Sequence, residues 1–487
     1  MQKIVTTSIV SLLLISTGSI AQSQQQQLDS RFRAASAILD AQLTLESVPG
    51  AAFGVVHDQS LVWSYNHGVE SYKTESPVTN DTLFSICSVS KLFNGIAAMN
   101  LVEEGKLSLD APIYDYIEGA APNDNTGAEE SATLRNILSH TSGLPREGID
   151  DFWANYSFPD DPSLLASSRQ HEQLYQPYEH WQYSNLGMAL IGKAIAETSG
   201  VQWGEYIDSA ILSPLGMEKT TTDMPFDKVG KGFARGYFVR NSSGQRNPVD
   251  KHQFRSYSAA AGIASSVNDM GKFASWNFRL RETGGEEILK ATTLKNMQRI
   301  HWIGPDFEPP GWGLAFATRR FGKKTLWGHG GYCPGARTAF SMRLPDKTAY
   351  IMMATANDIS PGNYVKMMFD FVNAAVTKVY GADEGTKSES ANEVASGDVD
   401  LSEYEGHYAV TNYDWDSYIG LGDGELFSIA LYGDNVVSNM QTFVHDKGDI
   451  FYRKRDDGSR GEPVIFERNA DGKVSAVVQH SYRSLKQ

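Results

Sequence analysis

Two cysteines are all that 487 residues contain, which excludes a fold stapled by many disulfides. No stripe of Lys and Arg runs along the chain, and its formal net charge is −15. Phosphate contacts need clustered cations, so nucleic acid is excluded as a partner. Past the first residues no apolar run approaches the roughly 20 residues that span a bilayer. Two catalytic signatures are also missing. There is no Gly-x-Ser-x-Gly elbow of an α/β-hydrolase. His171-Glu172 opens like a zinc motif, but position 175 is Tyr. The second histidine is therefore absent, and no metal is implied.

What is present is ordinary globular composition, with 41% hydrophobic and 11% aromatic residues. The length allows one large domain and one smaller. Lys3 supplies a short positive region, Ile9 to Ile15 a mostly apolar stretch, and Ser19-Ile20-Ala21 small residues at a cleavage position. This layout predicts a secretory signal peptide over 1–21, and a mature protein that is periplasmic or secreted, with no membrane span. No cysteine stands near the cleavage position, so lipid attachment there is excluded. Gln22 to Gln27 reads as a disordered low-complexity leader.

Residues 28–48 have the spacing of an amphipathic helix, ended by Pro49-Gly50. Ala51 to Val56 and Leu61 to Tyr65 read as strands around a turn at His57-Asp58-Gln59. A helix starts near Ser88 with Leu92, Phe93, Ile96, Ala97 and Leu101 on its apolar positions, and Gly105 is placed to stop it. Ser266 is placed as an N-cap with Asp269 three positions on. Thr325 to Trp327, Ala336 to Met342 and Ala349 to Ala354 are strand-like, and a helix follows from about Tyr364 to Tyr380. Residues 381–400 lose their apolar positions and read as a linker. From Leu401 to the end, short alternating strands are separated by Asp423-Gly424, Gly433-Asp434, Asp457-Gly458 and Asp471-Gly472. That predicts an all-β domain of about eight strands over 401–487, closed or nearly so.

Three clusters carry chemistry. In Ser88-Val-Ser-Lys91, a hydroxyl and an amine three residues apart share one helical face. The helix start offers free N–H groups and partial positive charge. A serine needs a base to attack, and a lysine serves if burial or nearby cations lower its pKa. Tyr183-Ser-Asn185 sets a phenol and an amide two apart, the first able to relay a proton to a leaving group. His329-Gly330-Gly331 follows a strand, where glycines permit close backbone approach. An edge strand there could hydrogen-bond a substrate main chain, with the N–H groups of Tyr332 and Ser88 as oxyanion donors.

S-x-x-K, then Y-x-N about 95 residues later, then H-x-G about 145 further on is the motif series of the penicillin-recognising serine hydrolases. The chain resembles the β-lactamase-related family of class C β-lactamases, DD-peptidases, family VIII carboxylesterases and D-aminopeptidases. Leu101-Val-Glu-Glu-Gly-Lys-Leu-Ser-Leu-Asp110, Leu134-Arg-Asn-Ile-Leu-Ser-His-Thr-Ser-Gly-Leu144, Ser213-Pro-Leu-Gly-Met217 and Trp327-Gly-His-Gly-Gly331 are similar as well. The resemblance implies an α+β fold over 28–380, an antiparallel sheet flanked by terminal helices beside a helical region. The tail is similar to the lipocalin-like appendage of many members. By resemblance Ser88 is the nucleophile, Lys91 its base and Tyr183 the acid/base partner. Asn185 positions substrate, and His329, Gly330, Gly331 and Tyr332 form the far wall. His140 is read as structural, since Lys91 already fills the base role. No cofactor is implied, and the partner is a small-molecule or peptide substrate. Oligomeric state is not legible.

His329 stands where most relatives carry Lys. A histidine is mostly neutral at pH 7, so the expectation is a weaker demand for a substrate carboxylate, favouring esters, amides or D-amino-acid peptides. Hydrolysis of β-lactams or cell-wall peptides is the alternative. A catalytically inactive binding protein on the same scaffold is the other. In the implied fold Cys87 and Cys333 face each other across the cleft, and some class A carbapenemases bridge similar positions. A Cys87–Cys333 disulfide and two buried thiols both remain open.

Overall fold

The structure, a computed structural model, describes residues 6–121, 131–149, 152–171, 173–303, 311–381, 399–409, 416–422, 425–430, 440–455, 459–480 and 482–487. The chain divides into two compact units between Asp383 and Glu384. This point falls within the expected linker 381–400, of which residues 382–398 lie outside the described residues.

In the first unit, helix α1 (Thr6–Leu45) buries Leu28, Phe32, Ala35, Leu39 and Leu43, a stripe at helical spacing. Gln22 to Gln27 continue this helix and do not form the expected disordered leader. Glutamine is a good helix former, and no Gly or Pro interrupts the run. The strands β1 (Gly50–His57) and β2 (Ser60–Gly68) form a hairpin around Asp58 and Gln59. Later strands β3 (Ala317–Phe321), β4 (Lys324–Cys333), β5 (Ala336–Arg343) and β6 (Thr348–Ala354) complete a six-stranded sheet of order β2-β1-β6-β5-β4-β3. Every pairing in it is antiparallel.

Both faces of the sheet are covered. Phe53 and Val55 of β1 pack with α1 and with the last helix of the unit, Pro361–Tyr380. Ala52 and Val56 point to the opposite core, as the period-2 alternation of a strand requires. That core also takes α2 (Ser90–Glu103), α3 (Asn185–Ser199), α4 (Ser258–Ala261) and α5 (Val267–Thr283); Pro361–Tyr380 is then α6. Leu92, Phe93, Ile96, Ala97 and Leu101 of α2 are all buried. Gly105, at φ +72°, lies just past its C-cap. The Asp269 N–H donates to the Ser266 hydroxyl at the start of α5 (3.2 Å).

The second unit is a closed eight-stranded antiparallel barrel from Gly406–Ala409 to Tyr482–Lys486, sealed by pairing of its first and last strands. Tyr408, Ile419, Leu426, Phe443, Phe451, Phe466 and Val477 fill it. Asp471-Gly472 is a turn, with Gly472 at φ +77°. Asp423-Gly424, Gly433-Asp434 and Asp457-Gly458 lie outside the described residues. No helix among the described residues is long and apolar enough to cross a membrane.

Candidate active site

Ser88 stands in a single 3-10 turn, Cys87–Val89, that runs directly into α2. The amine of Lys91 comes back over this turn. Its Nζ lies 3.2 Å from the Ser88 Oγ and donates to the Ala260 carbonyl of α4 at 2.8 Å. Lys91 is fully buried. Burial holds its pKa well below the ordinary lysine value, with Arg146 pushing the same way and Glu147 opposing. Ser88 keeps partial access to a cleft of about 600 Å³.

The turn is pinned from its far side. Cys87 and Cys333 form a disulfide, their Cα atoms 5.6 Å apart. This settles the pair as bonded. Cys87 has φ +52°, a conformation that costs a non-glycine residue about 1–2 kcal/mol and persists where surroundings over-determine it. Across the cleft, β4 carries His329, Gly330, Gly331 and Tyr332 as continuous strand. A Cβ at Gly331 would fall 2.3 Å from the Ile86 carbonyl oxygen and 3.2 Å from the Cys87 Cβ. Glycine is what lets the strand and the Ser88 turn approach so closely. Pairing of β4 with β5 continues to Cys333, whereas pairing with β3 stops at Gly328. The edge of β4 from His329 onward therefore has no strand beside it among the described residues.

Tyr183 lies within hydrogen-bonding reach of Ser88. Its ring is held by His140, with centroids 4.3 Å apart, and by two cations: Lys91 Nζ and Arg146 Cζ each lie 4.9 Å from the ring centre. Burial raises the phenol's pKa. His140 is buried, accepts the Ser184 N–H on its Nδ1 (3.2 Å) and has its pKa lowered by burial. These contacts make it a support for Tyr183. His329 is 5% exposed. Its Nδ1 donates to the Gly330 carbonyl (2.5 Å). Burial, then the nearby Lys91, take its pKa down to about 3, so position 329 is neutral at physiological pH.

Asn185 is 4% exposed. It opens α3, and its Nδ2 donates to Glu147 Oε1 at 2.6 Å. Sequence reasoning missed Arg146, Glu147, Trp181, Trp312, Arg319 and Arg337. Arg146 and Glu147 follow directly on the Leu134–Leu144 match. The other four are lone residues on loops and strands, with no local pattern to mark them. Among the described residues no group of three His, Cys, Asp or Glu is placed to hold a metal ion.

The chain is similar to several known proteins. It is 24% identical over 442 residues to Beta-lactamase-like protein 2 of Dictyostelium discoideum, covering 85% of this chain and 78% of that one. It is 30% identical over 195 residues to Esterase EstB of Burkholderia gladioli, covering 37% of this chain and 49% of the esterase. The fold is similar to that of the octameric penicillin-binding protein homologue from Pyrococcus abyssi, with a TM-score of 0.62 at 21% identity, over 95% of this chain and 99% of that one. A model of the Beta-lactamase family matches residues 34–366, more than half of the sequence, and the chain belongs to that family.

Proposed function

We propose that the protein is an exported serine hydrolase that forms an acyl-enzyme on Ser88, acting on esters, amides or D-amino-acid peptides. The observation that carries this is the fully buried Lys91 amine, 3.2 Å from the Ser88 hydroxyl and held by a carbonyl in place of a carboxylate. An amine so placed is neutral at a lower pH than a free lysine, and a neutral amine accepts a proton. In acylation Lys91 takes the Ser88 proton as Oγ attacks the substrate carbonyl carbon. The N–H groups of Ser88 and Tyr332 face the developing oxyanion. Tyr183 then delivers a proton to the leaving group as the scissile bond breaks, and is recharged from Lys91. Water attacks the ester in the second half, losing its proton to the same pair and returning Ser88 to its hydroxyl form.

Membership of the Beta-lactamase family and similarity to an esterase support a hydrolytic reading. The neutral His329 supports esters, amides and peptides over β-lactams. A panel of p-nitrophenyl esters, D-amino-acid amides and peptides, and nitrocefin tests it. The expected result is turnover of the first groups with higher kcat/KM than nitrocefin. The reverse order would replace this reading with the β-lactamase one. Export rests on the N-terminal sequence alone. Among the described side chains of α1, the packed stripe runs from Leu28 to Leu43, past the expected cleavage after Ala21. N-terminal sequencing of protein from the producing cells checks this: Gln22 is expected first, and a retained Met1 overturns it.

A further inference from the structure

We propose that the protein carries a second ligand site, a cavity behind α4 that takes a small amino alcohol and acts, through α4, on the Lys91–Ser88 pair. The cavity stands on its own geometry, and its action on the pair rests on acyl transfer at Ser88.

This cavity of about 710 Å³ shares no lining residue with the Ser88 cleft. Leu164, Ala189 and Ala259 give it an apolar floor, each at most 2% exposed. Such a floor suits a small organic body. Ser258 of α4 lines the cavity beside them. It is 7% exposed, and its hydroxyl has no hydrogen bond to any described residue. A hydroxyl taken out of water without a partner is costly, so Ser258 asks for a polar group on the occupant.

The charges of the lining do not balance. Lys193 is engaged by Asp161 and Glu197, both at 2.8 Å. Arg255 helps hold the Asp160 carboxyl ionised. Glu205 and Asp223 remain; both are exposed, and neither has an ion pair with a described residue. They flank one close approach of two segments, since a Cβ at Gly204 would fall 2.6 Å from Thr222 Oγ1. Two such carboxylates favour a cation at the mouth. An ammonium for Glu205 and Asp223, joined by a short apolar chain to a hydroxyl for Ser258, meets both demands.

The segment 255–261 has two faces. Arg255, Ser256, Ser258 and Ala259 line the cavity. Tyr257 and Ala260 hold the active site instead. The Tyr257 hydroxyl accepts the Gly148 N–H (3.1 Å), next to Glu147, and the Ala260 carbonyl takes the Lys91 amine (2.8 Å). A Cβ at Gly192 of α3 would fall 2.4 Å from the Ala259 Cβ, so α4 has no slack on that side. Trp203 also lines the cavity, and its Nε1 donates to Asn94 Oδ1 (3.0 Å) on α2, one turn beyond Lys91. An occupant bonded to Ser258 therefore pulls on the same short helix that holds the base.

Calorimetric titration of the full chain with straight-chain amino alcohols, from aminopropanol to aminohexanol, tests the site. One molecule bound per chain is expected. The alkylamine of equal length should bind roughly three- to tenfold more weakly, and the matching hydroxy acid at least about tenfold more weakly. Ser258→Ala should remove the advantage of the amino alcohol over the alkylamine. Glu205→Gln and Asp223→Asn, both at exposed positions, should weaken the two amines alike. No binding, equal affinity for amine and acid, or affinities unchanged in these variants would overturn the site. Phenylboronic acid, which adds reversibly to a serine nucleophile, then reads the coupling. Bound amino alcohol should change its affinity at least about fivefold, and the boronate should change the affinity for the amino alcohol by the same factor. Amino-alcohol binding that leaves both the boronate affinity and kcat for an activated ester unchanged would overturn the action on Lys91 and Ser88. If the boronate does not bind and no ester acylates Ser88, the hydrolase reading fails, and the calorimetry with the Ser258 and Glu205 variants decides the cavity.

Discussion

The Lys91 amine and the Ser88 hydroxyl are 3.2 Å apart on one turn at a helix start, and no carboxylate lies in ion-pair range of the amine among the described residues. A base in this position must be able to lose its charge. Lys91→Arg keeps a cation that does not deprotonate, and Lys91→Ala removes the base. Each is expected to lower kcat by at least about a thousandfold, as is Ser88→Ala. The double variant Ser88→Ala/Lys91→Ala should be no worse than either alone, since the two act as a unit. Turnover of an activated ester measures it.

Adjacent residues Arg146 and Glu147 should move the pH profile in opposite directions. Activity needs neutral Lys91, so kcat/KM rises with pH through the Lys91 pKa. The Glu147 carboxylate favours the ammonium form, and the Arg146 guanidinium disfavours it. Glu147→Gln therefore lowers that pKa and moves the acid limb to lower pH. Arg146→Gln raises it and moves the limb to higher pH. The shifts should be about half a pH unit or more. His329, with its pKa taken down to about 3, contributes no limb between pH 5 and 9. Shifts of the same sign in both variants would mean that the two residues act through packing alone.

Gly331 has no room for a methyl group. The nearest obstacle is the Ile86 backbone carbonyl at 2.3 Å, which a rotamer change cannot relieve. Gly331→Ala is expected to push β4 away from the Ser88 turn. It should cost about 1–3 kcal/mol of stability and lower kcat/KM by roughly a hundredfold. Thermal unfolding and steady-state kinetics measure the two effects.

The Cys87–Cys333 bond closes a loop of 246 residues. In the chain-entropy model such a loop is worth up to about 5 kcal/mol. Reduction, or Cys333→Ser, should lower the melting temperature by several degrees. The activity loss should exceed what the melting curve predicts, because Cys87 is bonded to Ser88. Unchanged activity at temperatures where the reduced protein is folded would show that the bond serves stability only.

Much of this architecture was legible because it depends on local patterns. The alternation in Ala51 to Val56 marks β1, the spacing from Leu92 to Leu101 marks α2, and the turn at Asp471-Gly472 marks a hairpin of the barrel. Ser88 and Lys91 share a helical turn, so their meeting was legible too. The packing around Arg319 was not. A Cβ at Gly330 or Gly362 would come 2.7 Å from its guanidinium, both glycines belong to other elements, and no spacing near 319 hints at either. The Asn185–Glu147 pairing was not legible either, because Glu147 comes from a loop whose path only the tertiary fold specifies. Gln22 to Gln27 are low in complexity yet helical, because glutamine favours helix and no Gly or Pro interrupts the run.

The most direct measurement is mass spectrometry of the protein trapped with a slow acylating ester or a fluorophosphonate, with peptide mapping of the adduct. One adduct per chain on Ser88, lost in Lys91→Ala, is the predicted result. An adduct on another residue, or none from a folded protein, would contradict an acyl-enzyme at this site.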